Sequence, residues 1–257
     1  MKLKIKNNAF LQFPSGLKRS ITARHEVRPY YSRISFTTVK TGFSAAPEYR
    51  ENKVKRYGDF LLAGLGLVLS SWLWALIGLA IILDDGFPVL IRQRRIGRFG
   101  RLFSSYKFRS MKKSTLTEVI QTQAQANDIR ITKIGRVLRK TAMDELPQLL
   151  NILVGDMTFV GPRALLPREI EINGDRKIVS IKEIPGYEKR ILLRPGLTGI
   201  GQIFADRDLP RKYKFKYDLL YLKKMSVFYD LKLIALSFLV SFRATWEKRG
   251  RKLSLLQ

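Results

Sequence analysis

Two adjacent carboxylates, Asp144 and Glu145, stand just ahead of Pro147 in the segment Thr141-Ala-Met-Asp-Glu-Leu-Pro-Gln148. Proline fits a helix only in its first turn. A helix is therefore expected to begin just before Pro147, with Asp144 as its N-cap and Glu145 in the first turn. A helix N-terminus presents unpaired N–H groups and partial positive charge, which keep a carboxylate ionised and attract phosphate. An ionised aspartate beside a phosphate can act as a nucleophile through an aspartyl-phosphate intermediate. A neighbouring glutamate can hold Mg2+, which takes oxygen ligands and bridges to phosphates. The plain alternative is that Asp144 only caps a helix, and a bare Asp-Glu-Leu-Pro string does not decide between the two.

Cations accompany this pair along the chain. Lys107 and Arg109 lie in Tyr106-Lys-Phe-Arg-Ser-Met111, Arg139 and Lys140 come just before the pair, Arg163 follows Gly161-Pro162, and Arg194 precedes Pro195-Gly196. A diphosphate needs such clamps, and arginine offers bidentate geometry. Taken singly, each is more often a solvated surface charge. Other chemistries are excluded by composition. The chain has no cysteine and one histidine, His25, so thiolate chemistry, a His-based triad and a multi-His metal site are ruled out. There is no Walker A loop and no Gly-x-Gly-x-x-Gly after a strand.

The elements that must position these residues are partly legible. Residues 1–50 read as a basic, Ser/Thr-containing extension without the apolar run of a secretory signal. Residues 51–86 hold a stretch from Phe60 to Leu83 of 24 residues without a charge. As a helix it is long enough to cross a bilayer core. Lys53, Lys55 and Arg56 precede it, and Arg92, Arg94, Arg95, Arg98 and Arg101 follow it. Cytoplasmic flanks collect Lys and Arg, so a straight crossing would put one basic cluster on the wrong side while a re-entrant helix satisfies both; the rule is a bias, and both topologies stay open. Residues 87–249 read as the catalytic domain and 250–257 as a tail. Within the domain, Val89–Ile91 and Leu102–Phe108 are expected to be extended, 112–127 a polar loop, Ile129–Thr141 a turn and a basic helix, Asp144–Val154 a helix, and Asp230–Trp246 an amphipathic helix. The net charge of +27 favours a polyanionic partner: nucleic acid, anionic lipid or phosphorylated substrate.

The order of these motifs resembles the bacterial sugar transferases, the polyprenyl-phosphate sugar phosphotransferases or monotopic phosphoglycosyl transferases. The similarity runs from about Lys55 to Arg249. It is carried by Lys55-Arg-Tyr-Gly-Asp59, Arg92-Gln-Arg-Arg-Ile-Gly97, Tyr106-Lys-Phe-Arg-Ser-Met111 and Asp128-Ile-Arg-Ile-Thr-Lys-Ile-Gly135. It continues through Leu138-Arg-Lys-Thr-Ala-Met-Asp-Glu-Leu-Pro-Gln148, Asn151-Ile-Leu-Val-Gly-Asp-Met157, Val160-Gly-Pro-Arg163 and Arg194-Pro-Gly-Leu-Thr-Gly199. Each string is weak alone, and their shared order makes the match specific.

The resemblance implies a small α/β, membrane-associated catalytic core on the cytoplasmic face of the bacterial inner membrane. A re-entrant N-terminal helix and amphipathic surface helices hold it there. The implied reaction passes a sugar 1-phosphate from a UDP-sugar to undecaprenyl phosphate, with release of UMP. Asp144 matches the nucleophile and Glu145 its partner, the two holding Mg2+, while Lys107, Arg109, Arg139, Arg163 and Arg194 match phosphate-binding positions. The helix break that the family makes at Ser-Pro falls here on Ser71-Trp72, and the family's Gly-Pro-Arg-Pro reads Gly161-Pro-Arg-Ala164. Anionic lipids are an expected partner, nucleic acid is not, and a homo-oligomer is left open. The rival readings are a membrane-tethered nucleic-acid binder, which lacks any recognised module signature, and a scaffold relative without turnover, against which the intact Asp144-Glu145 pair argues.

Overall fold

The structure is a computed structural model and describes residues 52–112, 128–167, 169–172, 178–205 and 209–246. The expected basic extension and C-terminal tail, and most of the expected polar loop at 112–127, lie outside them.

Helix α1 spans Lys53–Asp85. It begins where the Asn52 side chain accepts from the Val54 N–H, and ends at Gly86, whose φ of 73° suits a residue without a Cβ. Its 33 residues reach about 50 Å. The helix passes unbroken through Ser71 and Trp72, and the Ser71 hydroxyl returns to the Val68 carbonyl of the same helix. The break expected at this pair is therefore absent. Without the family's proline, no N–H is lost and no ring clashes with the preceding turn.

One stripe of α1 faces the rest of the chain along its whole length. Asp59, Ala63, Ile77, Gly78 and Ile81 are buried in it, at helical spacing. The opposite side leaves Leu61, Val68, Trp72, Leu76 and Leu83 more than half exposed. Among the described residues, α1 is the one helix long and apolar enough to cross a membrane.

Beyond α1, strands β1 (Leu90–Ile96) and β2 (Leu102–Phe108) form an antiparallel hairpin in the register Ile91↔Lys107 and Arg95↔Phe103. Helix α2 (Lys133–Thr141) and helix α3 (Gln148–Val154) follow. Strand β3 (Thr158–Val160) pairs in parallel with β6 (Gly196–Thr198), and β4 (Ile170–Ile172) pairs antiparallel with β5 (Ile178–Ser180). Helices α4 (Tyr187–Arg190), α5 (Ile200–Phe204), α6 (Arg211–Lys224) and α7 (Val227–Phe242) complete the described chain. The fold is thus mixed α/β as expected, with its described strands confined to two-stranded pairs.

The central core gathers Ala63, Leu149, Ile152, Val160, Ile203 and Leu233, so α1, α3, β3, α5 and α7 share one interior. A second cluster places Ile77 and Ile81 of α1 against Phe108 of β2 and Leu138 of α2. Within it Trp74 meets Phe108 edge-on, with ring centroids 5.3 Å apart. Polar ties fix the N-terminal half of α1 as well. Asp59 accepts from the Thr158 hydroxyl at 2.5 Å and the Phe159 N–H at 3.2 Å. Lys55 pairs with the buried Asp230 of α7, and Arg56 donates to the carbonyls of Ile152 (2.7 Å) and Leu153 (2.9 Å).

Candidate active site

The Asp144-Glu145 pair sits in a reversal of the chain. Helix α2 ends at Ala142, which adopts the left-handed conformation (φ 57°) and returns its N–H to the carbonyls of Leu138 and Arg139. A single tight turn over Met143–Glu145 follows, closed by Leu146 N–H to Met143 O at 3.2 Å. Helix α3 starts only at Gln148, with Pro147 in the cap position and no side chain accepting there. The expectation that Asp144 caps a helix over 144–154 is corrected: its carboxylate is not spent on a cap and instead lines a cavity.

Lys107 is brought to this turn by the hairpin register. Its position on β2 is pinned by Asn151 of α3, which accepts from the Tyr106 N–H at 3.0 Å and donates to the Ser104 carbonyl at 2.8 Å. Its ammonium makes an ion pair with Glu145. Burial pushes Asp144 up to about 6, with Lys107 pulling the other way and Glu145 adding to the rise. Burial would raise Glu145 too, but Lys107 and Arg163 outweigh it and hold Glu145 down to about 2. Burial lowers the pKa of Lys107, against the pull of the two carboxylates. The two acids therefore divide their roles: Glu145 stays ionised against Lys107, while the Asp144 carboxylate bears a burial cost that any cation brought to it relieves.

Arg139, on the last turn of α2, and Arg163, on the loop after β3, line the same cavity. Arg163 is held from behind, since its carbonyl accepts from Arg190 at 2.7 Å while Arg190 pairs with Asp218 at 2.9 Å. Arg95 joins them from β1 and was not singled out by the sequence. It donates to the Ala164 carbonyl at 2.9 Å, and burial, with Arg163 next, lowers its pKa to about 10. The alternation of a strand could have found it, because in this register Ile91, Gln93 and Arg95 share the face that carries Lys107.

Two expected phosphate binders are elsewhere. Arg109 is fully buried and donates to the carbonyls of Asp85 (2.8 Å), Gly86 (2.6 Å) and Phe87 (3.2 Å), with the Asp85 carboxylate at 3.3 Å. It caps the C-terminus of α1, where carbonyls lack helical partners and attract a cation. Arg194 donates to the Gly155 carbonyl at 2.7 Å, just past the end of α3, and does not line the cavity. Each arginine thus meets carbonyl acceptors at a helix C-terminus.

The cavity encloses about 1350 Å3. Its lining combines the acid pair, Arg95, Arg139 and Arg163 with apolar side chains, among them Leu62 and Leu73 of α1 and Ile234 and Leu239 of α7. A charged head on a long apolar tail fits such a space, as does a diphosphate laid across its charged side chains.

Comparison with known proteins agrees with this chemistry. Residues 50–244 match the family described as bacterial sugar transferase. The UDP-glucose:undecaprenyl-phosphate glucose-1-phosphate transferase of Escherichia coli K12 is 39% identical over 194 residues, covering 74% of this chain and 40% of that protein. The undecaprenyl-phosphate galactose phosphotransferase of Salmonella typhimurium is 32% identical, over 70% of this chain and 39% of that one. The exopolysaccharide production protein ExoY of Rhizobium meliloti is 35% identical, over 70% of this chain and 81% of its own length. The chain thus spans about 40% of the larger relatives and most of the smaller one. With the match running through α1, the acid pair and α7, this chain belongs to the bacterial sugar transferase family.

Proposed function

We propose that the protein transfers a sugar 1-phosphate from a UDP-sugar to undecaprenyl phosphate at the cytoplasmic face of a bacterial inner membrane, opening the assembly of an exopolysaccharide or a related glycan. The observation that carries this reading is a single cavity joining a buried carboxylate pair, a set of guanidinium groups and an apolar wall built from α1 and α7. The relatives point the same way: two are named for undecaprenyl phosphate and a third for exopolysaccharide production.

In this mechanism Arg95, Arg139 and Arg163 take the diphosphate of the donor. An Asp144 carboxylate oxygen attacks the β-phosphorus, the bond to the bridging oxygen breaks, and UMP leaves. The phosphate oxygen of the lipid then attacks the same phosphorus and frees the Asp144 carboxylate. Lys107 keeps Glu145 ionised and in place throughout. Two adjacent carboxylates with phosphate oxygens and water form a donor set that suits Mg2+, so Asp144 and Glu145 would hold it. Bound there, the ion would neutralise charge on the diphosphate. Burial raises the pKa of Asp144, and arriving positive charge offsets that cost and favours the nucleophilic anion.

The attachment to the membrane also follows from α1. Lys55, Arg56 and Asp59 bind the catalytic body at one end of the helix, and Asp84 and Asp85 bind it at the other. A helix with both ends on one body does not place those ends on opposite sides of a bilayer. The exposed face of α1 then lies in the lipid from one side, joined by Phe228, Leu231, Phe238 and Phe242 of α7, an exposed stripe at helical spacing. This retains the one-sided attachment of a re-entrant helix without a break in it.

The test is UMP release by the protein in detergent with Mg2+, undecaprenyl phosphate and a panel of UDP-sugars. UMP from one donor, lost in Asp144→Ala and without Mg2+, is the expected result. Undiminished release by Asp144→Ala would remove the nucleophile assignment, and silence from folded protein across a broad panel would favour the scaffold reading.

A further inference from the structure

The C-terminal end of α1 bonds to α2, which leads into the acid pair, and to Arg109, just past the strand that carries its lysine. Asp84 accepts from the backbone N–H of Ile134 at 2.9 Å. That N–H belongs to the first turn of α2, where Thr132 accepts from Gly135 in parallel at 2.9 Å. Nine residues long, α2 ends in the Ala142 reversal from which Asp144 and Glu145 emerge. One residue on from Asp84, the backbone of Asp85 receives Arg109, two positions beyond Lys107. The two receiving segments are themselves in contact. A Cβ on Gly135 would lie 2.1 Å from the Ser110 carbonyl oxygen, so only glycine lets α2 lie this close to the chain leaving β2. The apolar cluster of Ile77, Ile81, Phe108 and Leu138 fills the angle between them, and Met143 and Leu146, which bracket the acid pair, pack against it.

We propose that Asp84 is a positioning residue for the Asp144–Glu145 pair: its carboxylate ties the membrane helix to the N-terminus of α2 and so sets the turn at the far end of α2. The tie is specific in chemistry. An anion at a helix N-terminus satisfies an N–H that otherwise lacks a partner and is favoured by the helix dipole. Its loss lets α2 pivot about its contact with Ser110, and the displacement appears where α2 ends, at the acids. Catalytic geometry is steep in such displacements, since about 1 Å can cost on the order of 100-fold. The seating of α1 thereby becomes a condition for an assembled site, which links attachment at the membrane to turnover. Only the kinetic part of this inference rests on the transferase reading.

The experiment compares wild type, Asp84→Ala and Asp84→Asn as full-length protein in lipid nanodiscs, by hydrogen–deuterium exchange and by kinetics. In Asp84→Ala, exchange should rise at residues 143–146 as well as at 133–135, and kcat should fall roughly 10- to 100-fold with the donor KM little changed. Asp84→Asn keeps an oxygen acceptor and should restore most of both. Should the alanine variant fail to fold, Asp84→Glu, which shifts the carboxylate by one methylene, carries the same comparison. Faster exchange confined to 133–135, with wild-type kcat, would overturn the inference. A wild type that turns over no donor would fail the transferase reading alone, and exchange at 143–146 would still decide whether Asp84 positions the pair.

Discussion

Replacing Asp144 by asparagine should make the protein more stable while abolishing turnover. The magnitude follows from the electrostatics of the site. Burial, reinforced by Glu145, lifts Asp144 from an ordinary 3.8 to about 6 in the folded protein. Between those values the folded state holds a proton that the unfolded state has released, so stability falls as pH rises through this window. Above pH 6 the full cost is present, at most about 3 kcal/mol from a shift of roughly two units at 1.36 kcal/mol each. Asparagine is neutral at every pH and avoids it. The opposing contribution of Glu145, present above its ordinary value and lost as pH falls toward 2, is common to both proteins. In detergent with a chelator to remove divalent cations, Asp144→Asn should unfold about 5–10 °C above wild type at pH 7.5. The gap should close as pH falls from 6 toward 4, where the wild-type carboxyl is protonated. A gap that is absent at pH 7.5, or that stays constant down to pH 4, would refute the claim that the site stores an electrostatic cost at Asp144.

Other expectations follow from the same geometry. Arg109→Ala leaves three carbonyls at the end of α1 without their cation, and should cost about 2–4 kcal/mol in chemical denaturation. The folded fraction should keep the wild-type donor KM, whereas a raised KM would return Arg109 to the substrate. Arg163→Ala should raise donor KM or lower kcat/KM by roughly 10- to 100-fold through loss of a charge-assisted contact, with Tm little changed because its side chain is exposed. Tyr221→Phe removes a hydroxyl that donates to Asp230 at 2.7 Å and lies 3.0 Å from the Val160 carbonyl, and should cost about 1–3 kcal/mol without altering donor specificity. Val68→Glu, on the exposed face of α1, should move protein from the membrane pellet to the soluble or aggregated fraction, and full retention in the membrane would contradict lipid contact by that face.

The two extended pieces were legible beside their turn signals, but not their pairing into a hairpin. The extended reading of Leu102–Phe108 coincides with β2, and Val89–Ile91 marks the start of β1. The acid pair was legible as chemistry but not as geometry. The reversal at Ala142 uses a left-handed conformation that sequences normally signal with glycine or asparagine, so α3 begins three to four residues later than Pro147 alone suggests. Lys107 and Arg109 look equivalent in sequence. They part company because β2 ends at Phe108, and the next residue meets the carbonyls of α1 instead of the cavity. Strands β3 and β6 are three residues each and too short to show a period. The long helix was found from hydropathy alone. Its covered stripe was not, because Ala63, Ile77 and Ile81 differ little in apolar character from the exposed leucines beside them.

The ties on α1 also set an order of events during synthesis. Asp59 bonds to residues 99 and 100 positions later, and Lys55 to one 175 positions later. At about 5–20 residues per second, the partner of Lys55 is translated roughly 10–35 s after it. Through that interval the apolar helix has left the ribosome while the surface that will cover its inner stripe does not yet exist. Lipid can cover that stripe as well as the outer face, so the helix is expected to be in the bilayer before the catalytic body closes on it. The growing chain would then fold against an anchor already in place, and delayed delivery to the membrane would appear as aggregation of nascent chains, not as loss of activity in finished ones.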